Sequence, residues 1–354
     1  MRAAAHIGSP PHRDSREGLM PPSLLDRLLD DNARFDLGGR GTVNHLPMVL
    51  IALSRMGASD ERLTEYFRWW EDNRALPRRE SSRQVEHGQW QQYIGDGSMF
   101  AALSDYFQQR ILDSDSAEVI TAVFPAISRG VGAAAFHGLI RLAYGIEVDH
   151  PGEIAAGLAT LCSRYVDLRL SSRKAPSSTT VAAAFRRIAD AVRGSSFTGQ
   201  GIIGRMVAAA SDARLRAAFS VPPTKPDLLD EIARAGITLY WRQPNFTILH
   251  MVTATHAART VLGRFPDLAS QDAILALWGA VCSAYASVGA PLLGEVEADA
   301  DLPPWDQIFR EAVNNNDDHV IKMTYTCHCE GQHYCNALYH VAAARLVATG
   351  SSMA

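Results

Sequence analysis

Apolar residues return at three- and four-residue intervals through nearly the whole chain, and that spacing confines the fold to helices. The pattern runs through residues 44–56 (NHLPMVLIALSRM), 61–72, 99–113, 117–128, 131–145, 153–168, 179–194 and 202–219. It resumes through 246–263, 269–288, 304–313, 317–329 and 335–348. Strand-like alternation is confined to 236–242 (GITLYWR). Pro, Gly and Ser clusters mark loops at 72–98, 169–178 and 220–226. The expectation is an all-α fold of a dozen or so helices. They form a single large bundle-like domain over residues 23–350 with antiparallel neighbours, behind a disordered tail at 1–22. No repeat of solenoid length is visible.

Composition narrows the function classes. The 354 residues are 47% hydrophobic and 20% charged, enough for a sizeable core, and the net charge is −4. That balance offers no basic field for phosphate backbones or anionic lipid, so nucleic acid and membrane surfaces are excluded as partners. No apolar run reaches the roughly 18–20 residues of a membrane span, and the first residues lack the apolar centre of a signal peptide. A cytoplasmic protein is expected. Its five cysteines are an odd number and no disulfide framework.

Four of the twelve histidines sit inside strongly apolar helical runs: His45 in VNHLPMVLIAL, His137 in GAAAFHGLIRLAYG, His250 in FTILHMVTATHA and His319 in DDHVIKMTY. A buried imidazole needs a hydrogen-bond partner or a metal, because leaving it unsatisfied costs about 1–3 kcal/mol. Singly, each reads as a satisfied core residue. Jointly, inward-facing ligands from separate helices are how bundle cores build metal sites, and imidazoles suit Fe, Zn, Cu or Ni.

Lys322 follows His319 by three residues, about 300° round a helix, so the two share a face. A lysine buried there loses its proton by desolvation, and a neutral amine reacts with carbon dioxide to give a metal-binding carbamate. The alternative is a lysine that snorkels to solvent or pairs with an acid. Asp317 and Asp318 either supply an anionic ligand or cap the helix.

In this order and at these separations, NHLPMVLIAL, FHGLIRLAYG, LHMVT and DDHVIKMT resemble the questin oxidase-like family, over about residues 25 to 348. That resemblance implies an all-helical fold with a buried central non-haem Fe(II) site. The ligands it implies are His45, His137, His250, His319 and an N-carboxylated Lys322, with His256 competing for the place of His250. It also implies an oxygenase acting on a polycyclic aromatic, anthraquinone-like or polyketide-derived. The reaction would be Baeyer–Villiger-like oxygen insertion and C–C ring cleavage. The stretch CHCEGQHYC is richer in Cys and His than the family's fungal members lead one to expect.

Other signals are weighed beside these. Cys327, Cys329, His333 and Cys335 can be read as a zinc cluster, but Cys327 and Cys329 diverge by about 200° if the helix continues. Gly199, Gly201 and Gly204 spell a dinucleotide fingerprint, yet helical sequence flanks them on both sides, so a helix-to-helix turn is expected. An external reductant such as NADPH therefore finds no binding motif. Arg141 and Tyr144 follow His137 on one helical face and are candidate catalytic residues, with structural pairing the alternative for Arg141. Phe67, Trp69, Trp70, Tyr240 and Trp241 are candidate walls for a flat substrate or ordinary core. The partners expected are an aromatic small molecule and dioxygen, with oligomeric state open. A non-catalytic helical binder of a hydrophobic molecule, or a zinc or manganese hydrolase on the same histidines, are the competing readings.

Overall fold

A computed structural model of the chain describes residues 22–170, 177–222, 228–294 and 302–351. The expected N-terminal tail lies outside them, apart from Pro22. Sixteen α-helices and a small three-stranded sheet are found among the described residues. The fold is all-α, as the periodicity predicts. No helix among them is long and apolar enough to cross a membrane.

Capping residues set many of the helix boundaries. Ser23 and Asp26 close a capping box on α1 (Leu24–Asn32). After it come α2 (Leu46–Arg55), α3 (Asp60–Asn73) behind the Ser59 cap, α4 (Phe100–Asp113) and α5 (Ser116–Ile127) behind Asp115. Next are α6 (His137–Glu147), α7 (Pro151–Ser163) and α8 (Val181–Val192), the last capped by Thr180. The run expected as one helix over 202–219 is two, α9 (Gly201–Ser211) and α10 (Ala213–Ala218). Asp212 breaks it by accepting from the backbone N–H groups of Arg214 and Leu215, as an N-cap does. The chain then runs through α11 (Leu228–Arg242), α12 (Phe246–Arg264), α13 (Gln271–Ser287), α14 (Trp305–Val313), α15 (Asp318–Tyr334) and α16 (Ala337–Thr349).

Two local expectations fail. The strand-like stretch 236–242 is the last part of α11, where Ile232, Ala233, Ile237 and Tyr240 are buried at helical spacing. Tertiary packing outweighs the β-propensity of Ile, Tyr and Trp there. Conversely, the sheet was not foreseen. Its strands β1 (Phe35–Gly39), β2 (Thr42–Val43) and β3 (Ala75–Pro77) are short and rich in Gly, Asp and Pro, and they pair antiparallel in the order β2-β1-β3. The hairpin turns at Arg40 and Gly41, and Gly41 takes a positive φ of 76°.

One connected apolar cluster runs from Leu28 to Val347. Within it α6 lies against α7 at backbone distance. A Cβ on Gly157 would stand 2.6 Å from the Leu142 Cα, and one on Gly145 would stand 2.8 Å from the Ile154 nitrogen. Four helices then close a ring, with α2 on α6, α6 on α12, α12 on α15 and α15 on α2. These are not consecutive in the chain, so they need not alternate in direction as the expected antiparallel neighbours would. Gly157→Ala is expected to destabilise the fold by about 1–3 kcal/mol through overpacking, read as a lowered urea midpoint with an unchanged slope.

Candidate metal centre

The ring of helices brings four imidazoles together, each near the beginning of its own helix. His45 is the N-cap of α2 but makes no side-chain cap bond, which leaves its ring to turn inward. His137 opens α6, His250 lies in the first turns of α12 and His319 is the second residue of α15. Ring centroids stand 4.7 Å apart for His45–His137, 4.9 Å for His137–His250, 5.2 Å for His250–His319 and 4.7 Å for His319–His45. Ligand atoms of His45, His137 and His319 all lie within 4.8 Å of one another, and all four residues are buried.

Each Nδ1 faces an oxygen. His45 pairs with Asp318 Oδ2, His319 with Asp318 Oδ1 at 2.6 Å, His137 with the Ala134 carbonyl and His250 with the Phe246 carbonyl at 2.6 Å. Carbonyls and ionised carboxylates only accept, so every Nδ1 carries the proton and every Nε2 is a bare lone pair. Yet the Nε2 atoms of His45 and His137 face each other at 2.6 Å. Those of His250 and His319 are buried with no hydrogen-bond partner. Lone pairs aimed at each other in a dry core repel unless a cation lies between them. This donor set, neutral imidazoles with the far nitrogen anchored on oxygen, fits a transition metal.

Electrostatics keep the imidazoles neutral. Burial, followed by the Lys322 charge, pushes His45 down to about 3. Burial also holds His137 and His250 well below the usual range, and His319 is lowered by burial and Lys322. For Asp318, burial alone raises the carboxyl, but His45 and His319 together hold it well below the usual carboxylate range. Lys322 is 4% exposed, and burial lowers its ammonium to about 8 against the opposing pull of Asp318 and Asp317. Its positive charge is one of the causes that lower all four histidines.

The approach to His137 is strained. Ala134, Ala135 and Phe136 hold φ values of 49°, 55° and 67° in succession. Non-glycine residues enter this left-handed region at roughly 1–2 kcal/mol each, and seldom in runs. The turn delivers the Ala134 carbonyl to His137, so the helix expected over 131–145 begins only at His137. Beside it lies an open cleft. One cavity of about 400 Å³ is lined by Val43, His45, Ala134, His137, Ile203 and Phe246 among others. A neighbouring one of about 750 Å³ reaches Trp69, Asp318 and His319, and both include Gly41, Thr42, Arg205 and Phe246.

Other predicted residues lie elsewhere. His256 pairs with Glu330 at 2.6 Å, outside the ring that His250 completes. Arg141, a candidate catalytic residue, is instead held in a buried bidentate pair by Glu153 at 2.6 and 3.0 Å, which also accepts from Asn32. Tyr144 packs its ring on His256 and Tyr325 and makes no ring contact with the four histidines. Phe67 and Tyr240 are buried core, Trp241 lies under Arg345 and Trp70 is buried 6.2 Å from the His45 ring, which leaves Trp69 as cleft wall. Helix α15 continues through Cys327 and Cys329, so the two diverge, and Cys335 is exposed. Among the described residues no metal-holding group includes a cysteine. Gly199, Gly201 and Gly204 form a helix-to-helix turn, with a Cβ on Gly199 meeting the Gly204 carbonyl carbon at 2.2 Å. Sequence reasoning missed the double service of Asp318, the Phe246 ring set edgewise 4.8 Å from His250 and tilted 4.3 Å from His319, and the cleft-lining role of that glycine turn.

Two substitutions separate site from scaffold. Asp318→Asn leaves one of two Nδ1–H groups without an acceptor, and metal titration is expected to show an affinity about 10- to 100-fold weaker. Arg141→Ala strands a buried carboxylate and is expected to cost about 3–5 kcal/mol in chemical denaturation, with metal content per folded chain unchanged.

No curated protein matches the chain. The profile of the family described as questin oxidase-like matches residues 42–327, a span that holds every histidine of the ring together with Lys322. The chain belongs to the questin oxidase-like family.

Proposed function

We propose that the protein is a non-haem iron oxygenase that opens a ring of an anthraquinone-like or polyketide-derived aromatic by inserting oxygen beside a ring carbonyl. The observation that carries this reading is the facing Nε2 pair of His45 and His137, grouped with His319 within 4.8 Å beside an open cleft, together with the buried Nε2 atoms of His250 and His319 that have no hydrogen-bond partner. Hydrogen bonding within the core accounts for the Nδ1 atoms and leaves the Nε2 atoms unexplained, which disfavours a binder with merely satisfied histidines. Family membership favours oxidative chemistry over a hydrolase.

His45, His137, His250 and His319 would hold Fe(II), with Lys322 as a carbamate supplying the anionic ligand. Iron bound there would supply dioxygen activation. The chain's own residues do the rest. Asp318 keeps the Nδ1 protons of His45 and His319 in place, so that both rings present Nε2. Burial, which lowers Lys322 to about 8, makes the free amine accessible to carbon dioxide near neutral pH. Phe246 covers His250 and His319, Trp69, Ile202 and Ile203 offer apolar walls, and the polycyclic substrate lies between them. Reducing equivalents come from outside or from the substrate itself.

Protein purified anaerobically and reconstituted with Fe(II) is expected to hold equimolar iron and to consume oxygen with a hydroxylated anthraquinone. Lys322→Ala is expected to abolish that uptake, with partial recovery on addition of a short carboxylate. Retention of both iron and activity in Lys322→Ala eliminates the carbamate, and failure to bind iron at all eliminates the oxygenase.

A further inference from the structure

The cleft holds an uncompensated cation. Arg205 lies on the first turns of α9, half-buried, and lines both cavities above the histidine ring. Its guanidinium has no hydrogen bond, ion pair or ring partner among the described residues. Arg62, Arg78, Arg259 and Arg345 are half-buried too, and each is engaged: Arg62 donates to the Val313 carbonyl at 2.6 Å, Arg78 pairs with Asp105, Arg259 with Glu330, and Arg345 donates to the Trp241 carbonyl at 2.8 Å. A half-desolvated guanidinium with no partner is costly unless something arrives to pair with it.

Its position is fixed rather than floppy. Gly199 and Gly204 pack backbone against backbone immediately before it, and Met206, immediately after it, is fully buried. Helix α9 lies against α13 and against the left-handed turn that leads into His137. The acids lining the cleft do not compete for it. Asp318 has an oxygen on each of two histidines, and Asp317 caps α15 through the backbone N–H groups of His319 and Val320. The beginnings of α2, α6, α12 and α15 also converge beneath the cleft, adding partial positive charge.

We propose that this cleft takes its aromatic substrate as an anion, with Arg205 binding an ionised oxygen, phenolate or carboxylate, while Phe246, Trp69 and the Ile202–Ile203 pair hold the ring. The planar fork of arginine suits such an oxygen, and ionising a phenol enriches the ring to be oxidised. This assignment rests on the oxygenase reading for its location, but binding tests it without turnover.

The experiment is a fluorescence titration, through Trp69, of the iron-reconstituted full chain with three probes: a monohydroxylated anthraquinone, an anthraquinone carboxylate and unsubstituted anthraquinone. Arg205→Gln is expected to weaken an ionised probe about 10- to 100-fold and to leave the unsubstituted ring unchanged, with Arg205→Lys between. A red shift of the bound hydroxyanthraquinone at a pH where it is neutral in water, lost in R205Q, identifies phenolate as the recognised form. Tight binding of the carboxylate alone, without that shift, identifies carboxylate. Equal losses for charged and uncharged probes, no loss for any, or no binding to the unaltered protein overturn the assignment. Charge discrimination in a chain that holds no iron sinks the oxygenase and spares Arg205, whereas oxygen uptake indifferent to R205Q and to probe charge does the reverse.

Discussion

The Nε2 lone pairs of His45 and His137 cannot face each other in a dry interior without something positive between them, and four helices bring these two rings together with those of His250 and His319. Each ring is tethered at its far nitrogen by an oxygen that only accepts. Two of those oxygens belong to one carboxylate, so His45 from the beginning of the domain and His319 from near its end are oriented by the same side chain. Burial favours the neutral form of every ring, and the nearby lysine reinforces that preference. The Nδ1 side of every ring is thus committed to an oxygen, while the Nε2 atoms of His250 and His319 are left without a partner.

Strain is concentrated next to that centre. Three consecutive left-handed residues without a glycine among them are stabilised only by surroundings that over-determine them. Here those surroundings are α9 and α12 on one side and the His137 hydrogen bond on the other. Two alanines at the turn keep the wall thin, so the cleft reaches His137 itself. A more relaxed helical entry, as the apolar spacing of 131–145 suggests, would carry the ring away from its neighbours.

Most of the architecture could be read from spacing alone, since a buried helix writes its period into the sequence. The four histidines were legible for the same reason: polar rings in apolar runs need an explanation. What spacing could not convey was three-dimensional pairing. His250 and His256 sit in one apolar helix, and only the fold shows that Glu330 claims the second. Arg141 shares a helical face with His137, yet Glu153 from α7 holds it. Asp318 looked like a capping residue because Asp317, which performs that task, stands beside it. The β-hairpin escaped because strands of two to five residues leave too little alternation to detect.

The glycine contacts between α6 and α7 bear on how the ring can breathe. With Gly157 against the Leu142 backbone and Gly145 against that of Ile154, α6 can neither slide nor roll without steric collision. His137 is therefore the fixed jaw of a vice. The rings of His250 and His319, carried on two other helices, lie under one shared cover, the Phe246 ring.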